Sequence, residues 1–455
     1  MNRRVKEFCT IYIVVIIVIC VFYCIGFFFL FKDDSHNEIA LPFLKEKNNN
    51  IQQFTTPTPI YFQLQIPAPL TPTPITTPSP QFPPSYPRIN RNSDSIAILL
   101  MSCNLLTISK TLDLLVQYRP SKQQFPILVA QGCDSNSAIK LTRSFKEVHF
   151  VFHKDWNSLL SPFEQENQEK DYAKQYQKIL DLTFNYYGFQ AAVVLRDDLL
   201  VSPDFYEYFS ATLPILQADP TLWCVSAWND NGKLELVDIN ATDLLHRTDS
   251  FPGMAWMLTK SIWLELESKW PNINLETWIR EPAQRRERSC IRPELSRTKP
   301  SSWVGVIGDS LFDTYFQFIY LSEVKINFTS QNLSYLKKEH FDSKLVEAVQ
   351  NSTIASYQEL MDGKVRCNGS IQIQYDGQKE LQNISKSFGL MDNFINEILP
   401  TSYQGVLTFM YKMKRVYLVP KQGSLGLKLV DDRIESAVQN TSNFTNFKTK
   451  TKEEG

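Results

Sequence analysis

Arg196, Asp197 and Asp198 close an apolar run, AAVVL, and carry the most specific chemistry in the chain. The β-branched pair Val193–Val194 predicts a strand, so the two carboxylates fall at its C-terminal edge. Ser202, Pro203 and Asp204 then read as a helix start. In an open α/β sheet that edge is where ligands bind. Two acids there suit a divalent ion bridging a nucleotide diphosphate, and equally an ordinary solvated turn.

The elements that must position these acids are legible nearby. IAILLMS (96–102), FPILVAQ (125–131) and VHFVFH (148–153) are β-rich runs, with a helical stretch, ISKTLDLLVQY, between the first two. A polar helix is expected around Lys170–Phe184, just before the strand that carries the acids. This βαβ rhythm predicts a mostly parallel sheet with helices on its faces. Continuous apolar strands fit burial on both sides. From about Glu339 to Pro420 the pattern changes to short strands and one helix (SIQIQYDG, VLTFMYKMKRVYLVP), which predicts a smaller α+β domain.

Composition bounds the compartment. A chain of 455 residues with 43% hydrophobic content is long enough for two or three domains. A net charge of −1, with no basic stripe, gives no case for nucleic acid. Arg3, Arg4 and Lys6 precede 23 uncharged residues from Cys9 to Phe31, the length of a bilayer span. The stronger positive flank is N-terminal, which predicts a type II signal anchor with the remainder lumenal. From Thr55 to Pro87, 11 of 33 residues are proline among Thr and Ser, an extended stalk rather than a fold. Sequons at Asn240, Asn327, Asn332, Asn351, Asn368, Asn383, Asn440 and Asn443 agree with a lumenal chain. Five cysteines lie beyond the anchor: Cys103, Cys133, Cys224, Cys290 and Cys367. Two disulfides and one remaining thiol is the simplest count in an oxidising lumen, with partners left open by spacing. No Gly-rich phosphate loop, zinc motif or Gly-x-Ser-x-Gly elbow occurs. An anchored lumenal α/β domain whose strand ends in Asp-Asp points to a Golgi or endoplasmic-reticulum transferase of nucleotide sugars.

At WCVSAWNDNG (223–232) the chain resembles a known family, the alpha-1,3-mannosyl-glycoprotein 2-beta-N-acetylglucosaminyltransferases (N-acetylglucosaminyltransferase I, glycosyltransferase family 13). Further matching segments are QYRPSKQQFPILV, RTDSFPGMAW, LESKWP, SCIRPELSRT and LSYLKKEHFD, so the likeness runs from about Ile96 to Pro420. It implies a GT-A-type nucleotide-diphospho-sugar domain with a small C-terminal domain, UDP-GlcNAc as donor and Mn²⁺ as cofactor. It also implies a high-mannose N-glycan acceptor and inversion in a single displacement at the Golgi membrane. The organisation expected is a cytosolic tail (1–8), anchor (9–31), stem (32–94) and donor-binding domain (95–302). A linker with the donor loop (303–338), a small domain (339–420) and a disordered tail (421–455) complete it.

The resemblance also implies residue roles. Asp198 matches the metal ligand and Asp197 the middle acid of the family's acidic triplet. Glu276, in LETWIREP, occupies the position of the base that takes the proton from the attacking hydroxyl. The family usually has aspartate there, and one extra methylene can cost about a hundredfold through misplacement. Arg288 matches an arginine near the diphosphate, and Gly305 a glycine of the loop that closes over donor. Cys103 pairs with Cys133, and Cys224 with Cys290, leaving Cys367.

The departures cluster on the donor. Arg196 replaces the triplet's first acid, Leu105 an arginine, Gly132 an aspartate serving the uridine, Gln175 a histidine and Ile307 a loop serine. Each lost hydrogen-bonding group costs on the order of 1–3 kcal/mol at a nucleotide. Two outcomes are consistent with five such changes. In one, the pocket is rewired and Arg196 offers positive charge to the diphosphate. In the other, a Golgi paralogue has lost turnover and binds or scaffolds. A protein O-mannose beta-1,2-N-acetylglucosaminyltransferase relative ranks behind both, because the short stalk lacks room for that group's extra lumenal domain.

Overall fold

The apolar runs of the first half become adjacent parallel strands in a computed structural model that describes residues 88–102, 105–131, 144–151, 165–272, 274–301, 309–396 and 398–421. The expected anchor (9–31) and nearly all of the stem lie outside the described residues, as do Cys103, Cys133 with Gly132, Gly305 with Ile307, and the tail beyond Lys421. Among the described residues no helix is long and apolar enough to cross a membrane.

The strands are β1 (Ile96–Ser102), β2 (Ile127–Gln131), β3 (Val148–Val151), β4 (Ala191–Arg196), β5 (Leu199–Val201), β6 (Leu222–Ser226), β7 (Leu245–Thr248), β8 (Trp256–Thr259), β9 (Ser289–Pro293) and β10 (Thr298–Pro300). Eight of them form one sheet in the order β3-β2-β1-β4-β8-β6-β9-β7. Only β8 and β7 run against the rest. The short pair β5 and β10 lies apart, antiparallel, just beyond the end of β4.

Period-two alternation divides the strands between two cores. Ala191, Val193 and Leu195 face one side with Phe205, Tyr208 and Phe209, whereas Ala192 and Val194 face the other with Trp223, Trp256 and Trp263. The helix Leu105–Tyr118 buries Ile108, Leu112 and Leu115, and the helix Phe205–Ala218 packs on the same core. The helix Gln165–Asp181 covers the opposite face through Ala173, Tyr176, Ile179 and Leu180. It ends in a turn of π-helix, Leu182–Tyr186, which overlaps the end of the stretch read as one helix from the sequence and runs two residues past it.

A second sheet orders β11 (Thr353–Ile354), β12 (Ile371–Tyr375), β14 (Lys414–Pro420) and β13 (Leu407–Tyr411). Leu381, Ile384 and Phe388, from the helix Gly377–Ser387 and just past it, fill its core. The run VLTFMYKMKRVYLVP folds back on itself at Lys412 and Met413, with φ of 46° and 63°. A two-residue hairpin needs that left-handed pair, and here it is met without glycine. Three helices occupy this stretch where the sequence pattern suggested one, Lys338–Gln350 and Tyr357–Met361 being the others. Lys338–Gln350 has no fully buried residue; its apolar positions Phe341, Leu345 and Ala348 recur at helical spacing but are only half-buried among charged neighbours.

Cys224 and Cys290 sit opposite each other on β6 and β9, with Cα atoms 4.7 Å apart, and form a disulfide across 66 residues of chain. Cys367 is a half-exposed thiol. Closing a loop of that length restricts the unfolded chain. The double variant Cys224→Ala/Cys290→Ala is therefore expected to lose about 2–5 kcal/mol of stability. A urea midpoint unchanged from the parent protein would contradict this.

Candidate active site

The edge at the end of β4 is fixed from both sides. Thr111 Oγ1 donates to the Asp197 carbonyl (2.7 Å), and the Ser301 amide donates to the Asp198 carbonyl (2.7 Å). Both side chains are buried, Asp198 to within 3% of its area. Arg196 closes β4 and Asp197–Asp198 form the turn that follows, which folds Asp198 back within reach of the arginine. Its guanidinium grips that carboxylate in a fork: Nε donates to Oδ1 at 3.1 Å and Nη2 to Oδ2 at 2.5 Å.

This pairing bears directly on the metal. The lone pairs that a cation would use at Asp198 already accept from a guanidinium, and the three residues together carry −1 rather than −3. No group of three or more His, Cys, Asp or Glu that could hold an ion occurs among the described residues. As they stand, these side chains do not fit a divalent ion at Asp198.

A second ion pair organises the segment that follows. Asp204 precedes the helix Phe205–Ala218, as the Ser-Pro-Asp signal requires, but its carboxylate does not cap that helix. It accepts from Ser202 Oγ (2.6 Å) and Arg297 Nη2 (3.3 Å), both members of the ion pair being wholly buried. The Arg297 amide donates to the Ala227 carbonyl at the end of β6, joining β4, β6 and β10 at one edge.

The Trp-Asn-Asp-Asn-Gly turn follows β6, which runs parallel to β4, so it shares that edge. Asn229 takes a bond from neither helix nor strand; its amide donates to Ser296 Oγ (2.9 Å) and its side chain to the Glu294 carbonyl (2.6 Å). Asn231 donates to Thr401 Oγ1 (2.8 Å) and accepts from the Met391 amide (2.8 Å). A Cβ at Gly232 would lie 2.9 Å from the Asn229 carbonyl oxygen, so only glycine fits.

Asp230, at the centre of this turn, was legible only as part of a motif. Trp228 Nε1 donates to its Oδ1 (2.9 Å), while Oδ2 is buried without a partner. Burial pushes its carboxyl up to about 6, against the Trp228 bond and the charges of Arg280 and Arg292. Arg280 is thus the link to Glu276. Its Nη1 donates to Glu276 Oε2 at 2.7 Å, one turn back from it, and its guanidinium stands 5.4 Å from the Phe251 ring. Glu276 itself lies in the short helix Leu275–Trp278 with 67% of its side chain exposed. Arg280 thus pairs with Glu276 and adds its charge to the field at Asp230.

Arg288 is not part of this group. It directly precedes β9, which is parallel to β6, and so lies where the strands begin, opposite the edge of Asp198. Glu265 holds it in a two-pronged pair (3.0 and 2.9 Å), with Trp223 beneath it. Leu105 opens the helix Leu105–Tyr118, and Gln175 is buried on the helix Gln165–Asp181. A separate cavity of about 610 Å³ runs along β7 and is lined by His246, Arg292, Tyr335, Tyr403, Arg415 and Tyr417, with the sequon residue Asn332, and by none of the catalytic, donor-binding or metal residues read from the sequence. There Glu294 accepts from His246 Nε2 (2.7 Å) and Arg415 Nη1 (2.9 Å), and burial pushes the imidazole down to about 4.

Asp230 yields a signed prediction. Its folded value of about 6 lies above the ordinary 3.8, so the folded state holds the proton more tightly. The stability this group contributes is present below about 3.8 and is lost as pH rises through about 6. Asp230→Asn, isosteric and neutral, is expected to stabilise the protein on the order of 1–3 kcal/mol above that window and to do nothing below it. Thermal melts across the window check this, and a pH-independent effect would refute it.

Comparison with known proteins places the chain in a family. The GNT-I family model matches residues 82–429. The alpha-1,3-mannosyl-glycoprotein 2-beta-N-acetylglucosaminyltransferase of Arabidopsis thaliana is 27% identical over 329 residues, covering 71% of this chain and 73% of that protein. Among solved structures, a Pyrobaculum calidifontis mannosyltransferase in complex with GDP-Man and Mn²⁺ overlaps 41% of this chain and 50% of its own, at 14% identity and a TM-score of 0.26. TarS of S. aureus overlaps 44% of this chain and 58% of its own, at 8% identity and a TM-score of 0.31. Overlaps that small bear no weight, whereas the family match spans both sheets and the whole strand edge. The chain belongs to the GNT-I family and is a glycosyltransferase.

Proposed function

We propose that this protein transfers N-acetylglucosamine from UDP-GlcNAc, with inversion, to a mannose 2-hydroxyl of a high-mannose N-glycan. The reaction is a single displacement on a GT-A-type domain. The observation that carries the reading is the Glu276–Arg280 ion pair, whose arginine also acts electrostatically on Asp230 in the turn after β6. A carboxylate with 67% of its side-chain area open to solvent accepts at 2.7 Å from the Arg280 guanidinium, which orients it as a base for an incoming hydroxyl must be oriented. As the hydroxyl oxygen attacks the anomeric carbon its proton passes to Glu276, and UDP departs with the bonding pair. Support for the Golgi lumen comes from the uncharged 23-residue run Cys9–Phe31 and the proline-rich stem.

Manganese belongs to the family expectation, and Asp198 is the residue that would hold it; the reading routes no step through it, because Arg196 occupies that carboxylate. The same clamp, with Arg288 committed to Glu265, favours a second reading in which the protein binds without turnover.

The two separate in one assay of full-length protein with UDP-GlcNAc and a Man5 glycan. Under the transferase reading product forms, and Glu276→Gln lowers kcat by about 10²–10⁴-fold with donor affinity unchanged. Folded protein that binds donor but yields no product would establish the binding reading instead.

A further inference from the structure

The disagreement between Asp198 and a divalent ion has a positive content. An acidic triplet at the end of a strand offers −3 to a metal, which in turn meets the two negative charges of a diphosphate. Here the first position supplies a permanent cation of its own, since a guanidinium does not deprotonate. That cation is not loose. Asp198 binds it through both oxygens, and Asp198 is in turn held by Ser301 and, through its neighbour Asp197, by Thr111. A divalent ion entering at Asp198 would have to displace the guanidinium and then remain a few ångströms from it. Repulsion between a double and a single positive charge at that range opposes the exchange. Asp198 is buried to 3% of its side-chain area, while Arg196 keeps 20% exposed at the edge where ligands reach the sheet.

We propose that Arg196 takes the place of the divalent ion, so that the donor diphosphate is neutralised by a guanidinium and donor binding requires no metal. The inference rests on the reading of this chain as a UDP-sugar transferase. Arginine suits the task because its planar fork matches phosphate oxygens as it matches a carboxylate. Asp198 becomes a positioning residue: it aims Arg196 rather than coordinating an ion.

The test is calorimetric titration of the full-length, detergent-solubilised protein with UDP-GlcNAc, in EDTA and in MnCl₂. Equal affinity in the two buffers is expected. Arg196→Gln is expected to weaken binding at least about tenfold in both, since a charge-assisted phosphate contact is lost. Arg196→Glu rebuilds the acidic triplet and is expected to abolish binding in EDTA and restore it with Mn²⁺. Asp198→Asn should weaken donor binding in EDTA as well, because the guanidinium loses its anchor; a merely structural role would change melting temperature without that change in affinity. Parent protein that binds only with Mn²⁺ would overturn the inference and leave the transferase reading standing. Absence of binding in both buffers, with the thermal transition intact, would overturn the transferase reading and the inference together.

Discussion

The wholly buried pair between Asp204 and Arg297 is the constraint to which the functional edge is referenced. Two charges withdrawn from water cost several kcal/mol each unless every lone pair and proton finds a partner. The surroundings meet most of that demand, with Arg297 Nε alone of the pair's polar atoms buried without a partner. Asp204 also accepts from Ser202 Oγ, and Arg297 donates to the Leu295 and Thr242 carbonyls while lying 5.0 Å from the Phe328 ring. These contacts come from widely separated stretches of chain. They fix the segment after β4, the start of the helix Phe205–Ala218, the end of β6 and the approach to β10 relative to one another. Only on such a frame can a turn carrying Asp197 and Asp198 hold one geometry.

Arginines decide the chemistry laid on that frame. Arg196 neutralises Asp198, Arg280 gathers Glu276 and influences Asp230, and Arg288 is spent on Glu265 at the far edge. Asp198 and Glu276 therefore each have a cation assigned to them, while Asp230 keeps a buried Oδ2 without a partner. An edge organised in this way presents charge that is already balanced and pre-oriented, rather than a cluster of carboxylates waiting for an ion. Preorganised charge of this kind is what stabilises a departing anion, because no reorganisation is needed at the moment of bond cleavage.

Much of this could be read along the chain. The runs at 96–102, 125–131, 148–153 and 191–195 supplied β1 to β4, with bounds shifted by one or two residues at β2, β3 and β4, since continuous β-branched and aliphatic sequence has few alternatives to a buried strand. Asp197 and Asp198 at a strand end, glycine at 232 and the pairing of Cys224 with Cys290 were likewise accessible from local pattern and family likeness. The extra helices near the C-terminus were not: Lys338–Gln350 packs through a stripe of Phe341, Leu345 and Ala348 that is only half-buried, among many charged positions, and Tyr357–Met361 is too short to show a period.

What the sequence by itself determined was therefore the family, the strand that delivers the acids, and the identity of the charges near them. What only the tertiary structure decided was which charge meets which. Arg288 reads as a diphosphate contact until the parallel pairing of β9 with β6 assigns it to the opposite edge. Asp230 reads as one polar letter in a turn until packing buries it beneath Trp228 and leaves one oxygen without a partner. The reason is physical: side-chain type is local, but strand direction and burial are set by contacts between residues far apart in the chain, and these select the partner of every charge.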